Sequence, residues 1–299
     1  MRAVWSFWSK PYFSQKGGKW LSHYHHLLGW GLSLSSAARH YPDTVLITDK
    51  PGKSLLVDKL GLPFKEVSTE LEQLNQADPG WWALGKLLAY TLQNQPFVHI
   101  DTDVFLWKPL PEILLQAPVF AQCPERHPLD EWRNPQEIAQ VFERCHLPLP
   151  VEWVWSISRE LDYFREECCG IIGGSNTGFI QHYARTALDI ILNPRYQPAW
   201  RHYPDRTALI NRLEQFFLAT CVDYHRFNPN SPYRGVRIHY VFDSWEDAFK
   251  PQLSSKAGFT HVLSTSKAHP LVSRRLEQRM QRDDPGYFRQ CQKVAENMA

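Results

Sequence analysis

PFVHIDTDVFLW, residues 96–107, sets two carboxylates, Asp101 and Asp103, between two apolar runs. A short apolar run bounded by turn residues has the composition of a buried strand. Carboxylates at the edge of such a strand are costly to leave unpaired. In an extended backbone residues i and i+2 point to one side. With Thr102 as spacer, Asp101 and Asp103 are therefore expected to converge. Two negative charges that close repel, and a divalent cation relieves the repulsion. Mg²⁺ and Mn²⁺ favour oxygen ligands and take one or two carboxylates together with substrate phosphates. A metal site that holds a diphosphate is one reading. Two Asp side chains capping a turn or a helix are the other.

The segments around this block decide between an isolated motif and a fold. WWALGKLLAYTLQ (81–93) has a helical apolar pattern and leads into the strand PFVHI. Upstream, RAVWSFW reads as a first strand over 2–8, followed by a polar loop, SKPYFSQKGG. A helix is expected over 19–40, a strand over 44–49 and a helical stretch over 55–63 that stops at Gly61 and Pro63. APVFAQCPE (117–125) reads as another strand. Strand and helix in alternation predict an α/β domain with a mixed, mostly parallel sheet flanked by helices. In such sheets ligands collect outside the carboxyl ends of the strands. Asp101 and Asp103 sit at such an end.

Downstream the pattern changes. Residues 126–167 are rich in Trp, Pro and charge, and are expected to form helices and loops covering the sheet near a cleft. Trp132, Trp153 and Trp155 are candidates to shape that cleft, or to fill core. CCGIIGGSNTGFI (168–180) has strand composition around a Gly-rich turn. TALINRLEQFFLATCV (207–222) reads as an amphipathic helix, and 237–242 and 258–264 as late strands. One large domain over 1–270 and a charged, solvated helical tail over 271–299 complete the expected organisation.

With 299 residues the chain is long enough for a well-buried core. A formal net charge of +2, without a run of basic residues, argues against a nucleic-acid surface. No stretch is long and apolar enough to span a membrane. The six cysteines form no CxxC pair, which favours reduced thiols and a cytoplasmic protein. The N-terminus lacks the pattern of a signal peptide.

HIDTDVFLW, preceded by GKLLAY, resembles the DxD region of GT-A glycosyltransferases, in particular the glycogenin and bacterial galactosyltransferase type. The opening MRAVWSFWSKP resembles a group of uncharacterised bacterial glycosyltransferase-like proteins. The resemblance implies a GT-A-like, Rossmann-type fold that transfers a sugar from a nucleoside diphosphate, UDP favoured, to an acceptor hydroxyl. It implies Mn²⁺ or Mg²⁺ on Asp101 and Asp103, and leans to retention of configuration. A late His would complete the metal shell and a following Lys would meet the diphosphate. THVLSTSK offers His261 and Lys267, with His269 as a rival ligand. The family's Gly and Pro-Trp around that Lys are missing. An Asn segment lines the family's sugar pocket, and GGSNTGF offers Asn176. An Asp-Gln pair at a helix start reaches acceptor or sugar, and LEQFFL offers Glu214-Gln215 in its place. On the nucleotide side the resemblance points to Trp5, Ser6 and Trp8 on the first strand, Asp49 after the second, and Lys86 and Thr102 near the carboxylates. Trp5 is equally a core residue, and Lys86 equally an ordinary surface Lys.

Two other function classes remain. Haloacid-dehalogenase-type phosphatases also place DxD after a strand, with the first Asp as nucleophile. Here Phe105 replaces their Thr or Val, and the motif arrives after two strand–helix units. A protein of this fold that binds a nucleotide or glycan without turnover is the second alternative. HYHH (23–26) puts only His23 and His26 on one helix face, which favours a packed helix over a metal site.

Overall fold

A computed structural model describes residues 1–14, 20–131, 134–159 and 161–298. Eleven strands occur among them: β1 (Arg2–Phe7), β2 (Thr44–Thr48), β3 (Glu66–Ser68), β4 (Phe97–Ile100), β5 (Val104–Leu106), β6 (Val119–Ala121), β7 (Pro124–Pro128), β8 (Tyr163–Glu167), β9 (Ile171–Gly174), β10 (Ile238–Tyr240) and β11 (Phe259–His261). The helices of seven or more residues are α1 (His23–Ala38), α2 (Leu84–Thr91), α3 (Pro135–Arg144), α4 (Val151–Ile157), α5 (Thr177–Leu192), α6 (Phe217–Phe227), α7 (Pro251–Ala257), α8 (Pro270–Asp283) and α9 (Pro285–Glu296).

Seven strands make the central sheet in the order β10-β6-β9-β4-β1-β2-β3. β1 pairs parallel with β2 and β4, β2 with β3, and β6 with β10. β9 runs antiparallel to both of its neighbours, β4 and β6. The result is the expected mixed, mostly parallel sheet between helices. Its central strands are buried on both faces, so their sequences are nearly continuous apolar runs. Val45 and Ile47 of β2 join the core beneath α2 and α5, while Leu46 joins the core beneath α1. Trp5 points to the α1 side and Trp8, just past the strand, to the α2 side.

Several local expectations change. Ser9–Phe13, read as loop, forms a helical turn, and residues 15–19 of that loop fall outside the described residues. Lys50–Lys53 is helical and runs into Ser54–Lys59, so that the helical stretch expected over 55–63 starts earlier and is π-helical. Within 168–180 only Ile171–Gly174 is strand, and α5 begins at Thr177. The 126–167 region contains an antiparallel hairpin, β7–β8, as well as helices. The C-terminal segment is not a solvated tail. α8 and α9 bury Leu276, Met280, Cys291 and Val294 in the core on the α1 side. Burying one Leu or Met side chain contributes about 1.5–3 kcal/mol, so charged composition concealed two apolar seams.

Candidate active site

Asp101 follows β4 directly, and its amide donates to the Gly170 carbonyl just before β9. The Val104 amide then donates to the Asp101 carbonyl at 3.0 Å, closing a tight turn over 101–104. The pair converges through this turn, not through strand alternation as expected from the extended backbone. β5 resumes at Val104 and pairs antiparallel with β11, setting His261 opposite Val104. The Val262 amide donates to the Asp103 carbonyl at 2.9 Å. Thus one short ladder carries His261, from 158 residues downstream of Asp103, to the carboxylates. A 3₁₀ turn, Ser264–Ala268, then brings Lys267 back over Asp103.

Carboxylate and imidazole ligand atoms of Asp101, Asp103 and His261 lie within 4.8 Å of one another. His261 Nε2 is 3.3 Å from Asp103 Oδ1, and Lys267 Nζ is ion-paired with Asp103 Oδ2. Burial works against the Asp103 charge, yet Lys267 and His261 hold its carboxyl well below the usual range. Burial likewise disfavours charge on His261, but Asp103 outweighs it and lifts the imidazole to about 10. The His261 Nδ1–H donates to Gln122 Oε1 at 2.6 Å. That bond aims Nε2 at the carboxylates, as an outer partner does for a metal-ligating His. Gly170 is required beside it, because a Cβ there would collide with the His261 ring.

Lys86, on α2, spends all three ammonium donors below the carboxylates. Its Nζ reaches Asp101 Oδ2 at 3.0 Å, Glu214 Oε1 at 2.7 Å and the Cys169 carbonyl at 3.0 Å. Burial alone would lower the Lys86 pKa, but Asp101 and Glu214 hold it well above its ordinary value. Burial pushes Glu214 up, with Lys86 opposing. Three carboxylates, Asp101, Asp103 and Glu214, thus face three cations, Lys86, Lys267 and protonated His261.

Above this network opens a cleft of about 450 Å³. Ser6, Trp8, Lys86, Asp101, Thr102, Asp103 and Lys267 all line it. So do the aromatic side chains of Tyr12, Trp20, Trp30 and Trp82, together with His26, which belong to no site motif in the sequence. Tyr12 stacks on His26 with centroids 4.6 Å apart. Burial drives the His26 pKa down to about 3, so the ring is neutral. Ser6 Oγ is 2.9 Å from His99 Nε2. The pocketed aromatic cluster has a faint sequence signal, the aromatic-rich stretch from Trp5 to Trp30, but no local period reveals that it faces one cavity.

Other candidates go elsewhere. Trp5 is fully buried and its Nε1 donates to Ser33 Oγ, so it is core and not nucleotide site. Asp49 is buried as a structural cap, accepting from the Gly52 amide and from Ser9. Asn176 caps α5 through the Phe179 amide. Because β9 is antiparallel to β4, its carboxyl end lies beside Phe97, at the opposite end of the sheet from Asp101. The segment of this stretch that meets the carboxylates is instead Cys169–Gly170. Glu214 lies in a π-helical stretch, Arg212–Phe216, fully buried beneath Lys86 and Tyr90, where it cannot touch an acceptor. Gln215 is half-buried and does not line the cleft. His269 is exposed and caps α8 through the Leu271 amide, which removes it as a rival to His261. Trp153 is core, Trp155 packs on Tyr224 and Phe227, and Trp132 falls outside the described residues.

Two carboxylates and an oriented imidazole form a donor set that suits Mn²⁺, while the two carboxylates alone are what Mg²⁺ would use. A cation would replace the proton now on His261, since a ligating imidazole is neutral.

Residues 1–294 match the model of a family described as "Family of unknown function (DUF6734)". No curated protein matches the chain. Similar solved structures include an apo structure of the bifunctional glycosyltransferase WbbM, at 14% identity and a TM-score of 0.33. That match covers 62% of this chain and 34% of the other, so the chain spans about a third of that protein's length. Another is the galactosyltransferase LgtC in complex with donor and acceptor sugar analogues, at 10% identity and a TM-score of 0.32. It covers 72% of this chain and 71% of the other.

Proposed function

The chain belongs to the family of unknown function DUF6734, and we propose that it is a metal-dependent glycosyltransferase that moves a sugar from a nucleoside diphosphate to an acceptor hydroxyl. The observation that carries this reading is the convergence of Asp101, Asp103 and Lys267 on one aromatic-walled cleft, with the His261 imidazole set against Asp103. Asp101, Asp103 and His261 would hold a divalent cation, which would supply positive charge where the departing diphosphate becomes negative. Lys267, which lines the cleft beside Asp103, would serve as a point charge for a phosphate oxygen. Burial pushes the Asp101 carboxyl up, and Lys86, ion-paired with it at 3.0 Å, opposes that push and fixes it from below. Tyr12, Trp20 and Trp82 offer faces on which a base or a sugar ring stacks.

Among the described residues lining the cleft, the carboxylates are Asp101 and Asp103, and both carry cations. Neither is free to act as a separate base. Transfer with retention suits such a wall: the bond from the sugar to the diphosphate breaks, the bond to the acceptor oxygen forms on the same face, and the acceptor proton passes to the diphosphate.

Calorimetric titration of UDP with and without Mn²⁺ tests the reading. Metal-dependent binding is expected for the native chain and is expected to vanish in Asp101→Asn with Asp103→Asn. Equal binding in the double variant removes the site assignment. A thermal-shift panel of nucleotide sugars then identifies the donor, because a ligand that binds only the folded chain raises its apparent stability. Binding without turnover on any acceptor leaves a nucleotide-binding protein instead of an enzyme.

A further inference from the structure

Away from the cleft, three helices converge on a second cluster. α4 contributes Glu152, α5 contributes His182 and α6 contributes His225. Glu152 Oε1 is 2.9 Å from His182 Nε2 and 3.2 Å from His225 Nε2, and the two Nε2 atoms are 3.1 Å apart. None of the three residues lines the cleft at Asp101 and Asp103.

Protons alone do not satisfy this triangle. With Glu152 ionised, its oxygen only accepts. If both Nε2 atoms carry protons, the edge between them joins two donors. If either lacks its proton, a lone pair faces the carboxylate. Each arrangement leaves one repulsive edge in a buried setting, where an unmade polar contact is costly. A single cation at the centre resolves all three edges at once.

Geometry agrees with that resolution. Bonds of about 2.0–2.2 Å from a tetrahedral Zn²⁺ to N and O ligands put neighbouring ligand atoms roughly 3.3–3.5 Å apart. The three edges are within a few tenths of an ångström of this spacing. Outer contacts also fit. Ser231 Oγ lies 2.6 Å from His225 Nδ1 and already accepts from the Tyr233 amide at 2.9 Å. A proton on His225 Nδ1 donated to that oxygen leaves the Nε2 lone pair aimed at the centre. Tyr233 and Phe179 wall the rings, with Tyr233 at 5.3 Å from both imidazoles and Phe179 at 5.9 Å from His225. Glu152 and His225 are buried, whereas the His182 side chain is 32% exposed, leaving one solvent-facing side.

We infer that Glu152, His182 and His225 form a binding site for a transition-metal ion of the zinc class, with a fourth position open to water or a small ligand. Imidazole with one carboxylate suits zinc and its neighbours rather than Mg²⁺ or Ca²⁺. The ion would tie α4, α5 and α6 together at the end of the sheet remote from Asp101. This inference does not rest on the proposed transferase activity.

Titration with ZnCl₂ alone, followed by calorimetry, tests it in the Asp101→Asn, Asp103→Asn chain, so that the cleft does not compete. One Zn²⁺ per chain is expected to bind and to raise the melting temperature. Adding His182→Ala, at a partly exposed position, is expected to weaken binding by more than the roughly 10–100-fold that loss of an outer-shell partner costs. Ser231→Ala, which removes only the outer partner, is expected to fall within that roughly 10–100-fold range and serves if the His182 variant does not fold. Undiminished Zn²⁺ affinity in a folded His182→Ala or Ser231→Ala chain overturns the site, as does an absence of Zn²⁺ binding to the folded parent.

Discussion

Replacing Lys86 with Met should destabilise the protein far more than loss of an ordinary lysine, and in a pH-dependent way. Lys86 is 10% exposed, Glu214 is 0% exposed and Asp101 is 25% exposed. Removing the ammonium leaves Asp101 enough water to solvate it, but leaves Glu214 buried with a charge and no counter-ion. Glu214 then takes up a proton. Relative to an unfolded Glu with a pKa near 4.3, protonation at pH 7 costs about 3.7 kcal/mol at 1.36 kcal/mol per unit. That figure caps the ionic part. It falls within the roughly 3–5 kcal/mol typical of a broken buried pair. At pH 5 the same arithmetic leaves about 1 kcal/mol. Urea unfolding followed by circular dichroism, at both pH values, measures the difference. Lys86→Met with Glu214→Gln should recover about 2 kcal/mol relative to Lys86→Met alone at pH 7, a coupling within the range seen for contacting residues. A loss below about 1 kcal/mol at pH 7, or no recovery in the double variant, refutes the account of Lys86 as the counter-ion of Glu214.

Gly170→Ala should push the His261 ring off Gln122 and abolish Mn²⁺-dependent UDP binding, at a stability cost of about 1–3 kcal/mol from overpacking; unchanged metal-dependent affinity by calorimetry counts against the His261 assignment. Tyr12→Ala should weaken nucleotide binding by about 1–3 kcal/mol, the value of one stacked base, besides lowering the melting temperature through lost packing on Phe7 and His26; undiminished nucleotide affinity in the folded variant counts against the stacking role. Glu167 is fully buried, and burial, opposed by Arg165, raises its pKa from 4.5 to about 7. The folded state therefore holds this proton longer than the unfolded one, so its stabilisation is complete below pH 4.5 and lost as pH rises to about 7. Glu167→Gln should remove a decline of roughly 3 kcal/mol across that window, seen as a flatter plot of unfolding free energy against pH. Leu276→Ala should cost about 2–5 kcal/mol by opening a cavity between α8 and α1; a change near zero in urea would mean the C-terminal helices contribute little to the fold.

Local order along the chain was enough to read the α/β class and the strands β1, β2 and β4, because strands buried on both faces are written as continuous apolar runs. The abrupt Asp-Thr-Asp after such a run was equally plain, and the family resemblance pointed to His261 and Lys267. Facing was not readable. Trp5 and Trp8 both fit a strand of the right composition, and only packing sent one to the core and the other to the cleft wall. Strand direction was not readable either. Asn176 moves to the far end of the sheet because β9 runs antiparallel to β4, a pairing that no local period encodes. The charged C-terminal segment concealed helices whose apolar stripes appear only at helical spacing.

Long-range assembly decided the rest. Glu214 reads as part of an amphipathic helix, yet it lies in a π-helical stretch and is buried under Lys86, 128 residues away. His182 lies 30 residues from Glu152 and 43 from His225, a spacing that matches no short metal motif. Composition and periodicity report what a residue does to its neighbours within a turn or a strand. Which charges share one point in space is settled by register, strand direction and helix docking, and those exist only once the chain has folded.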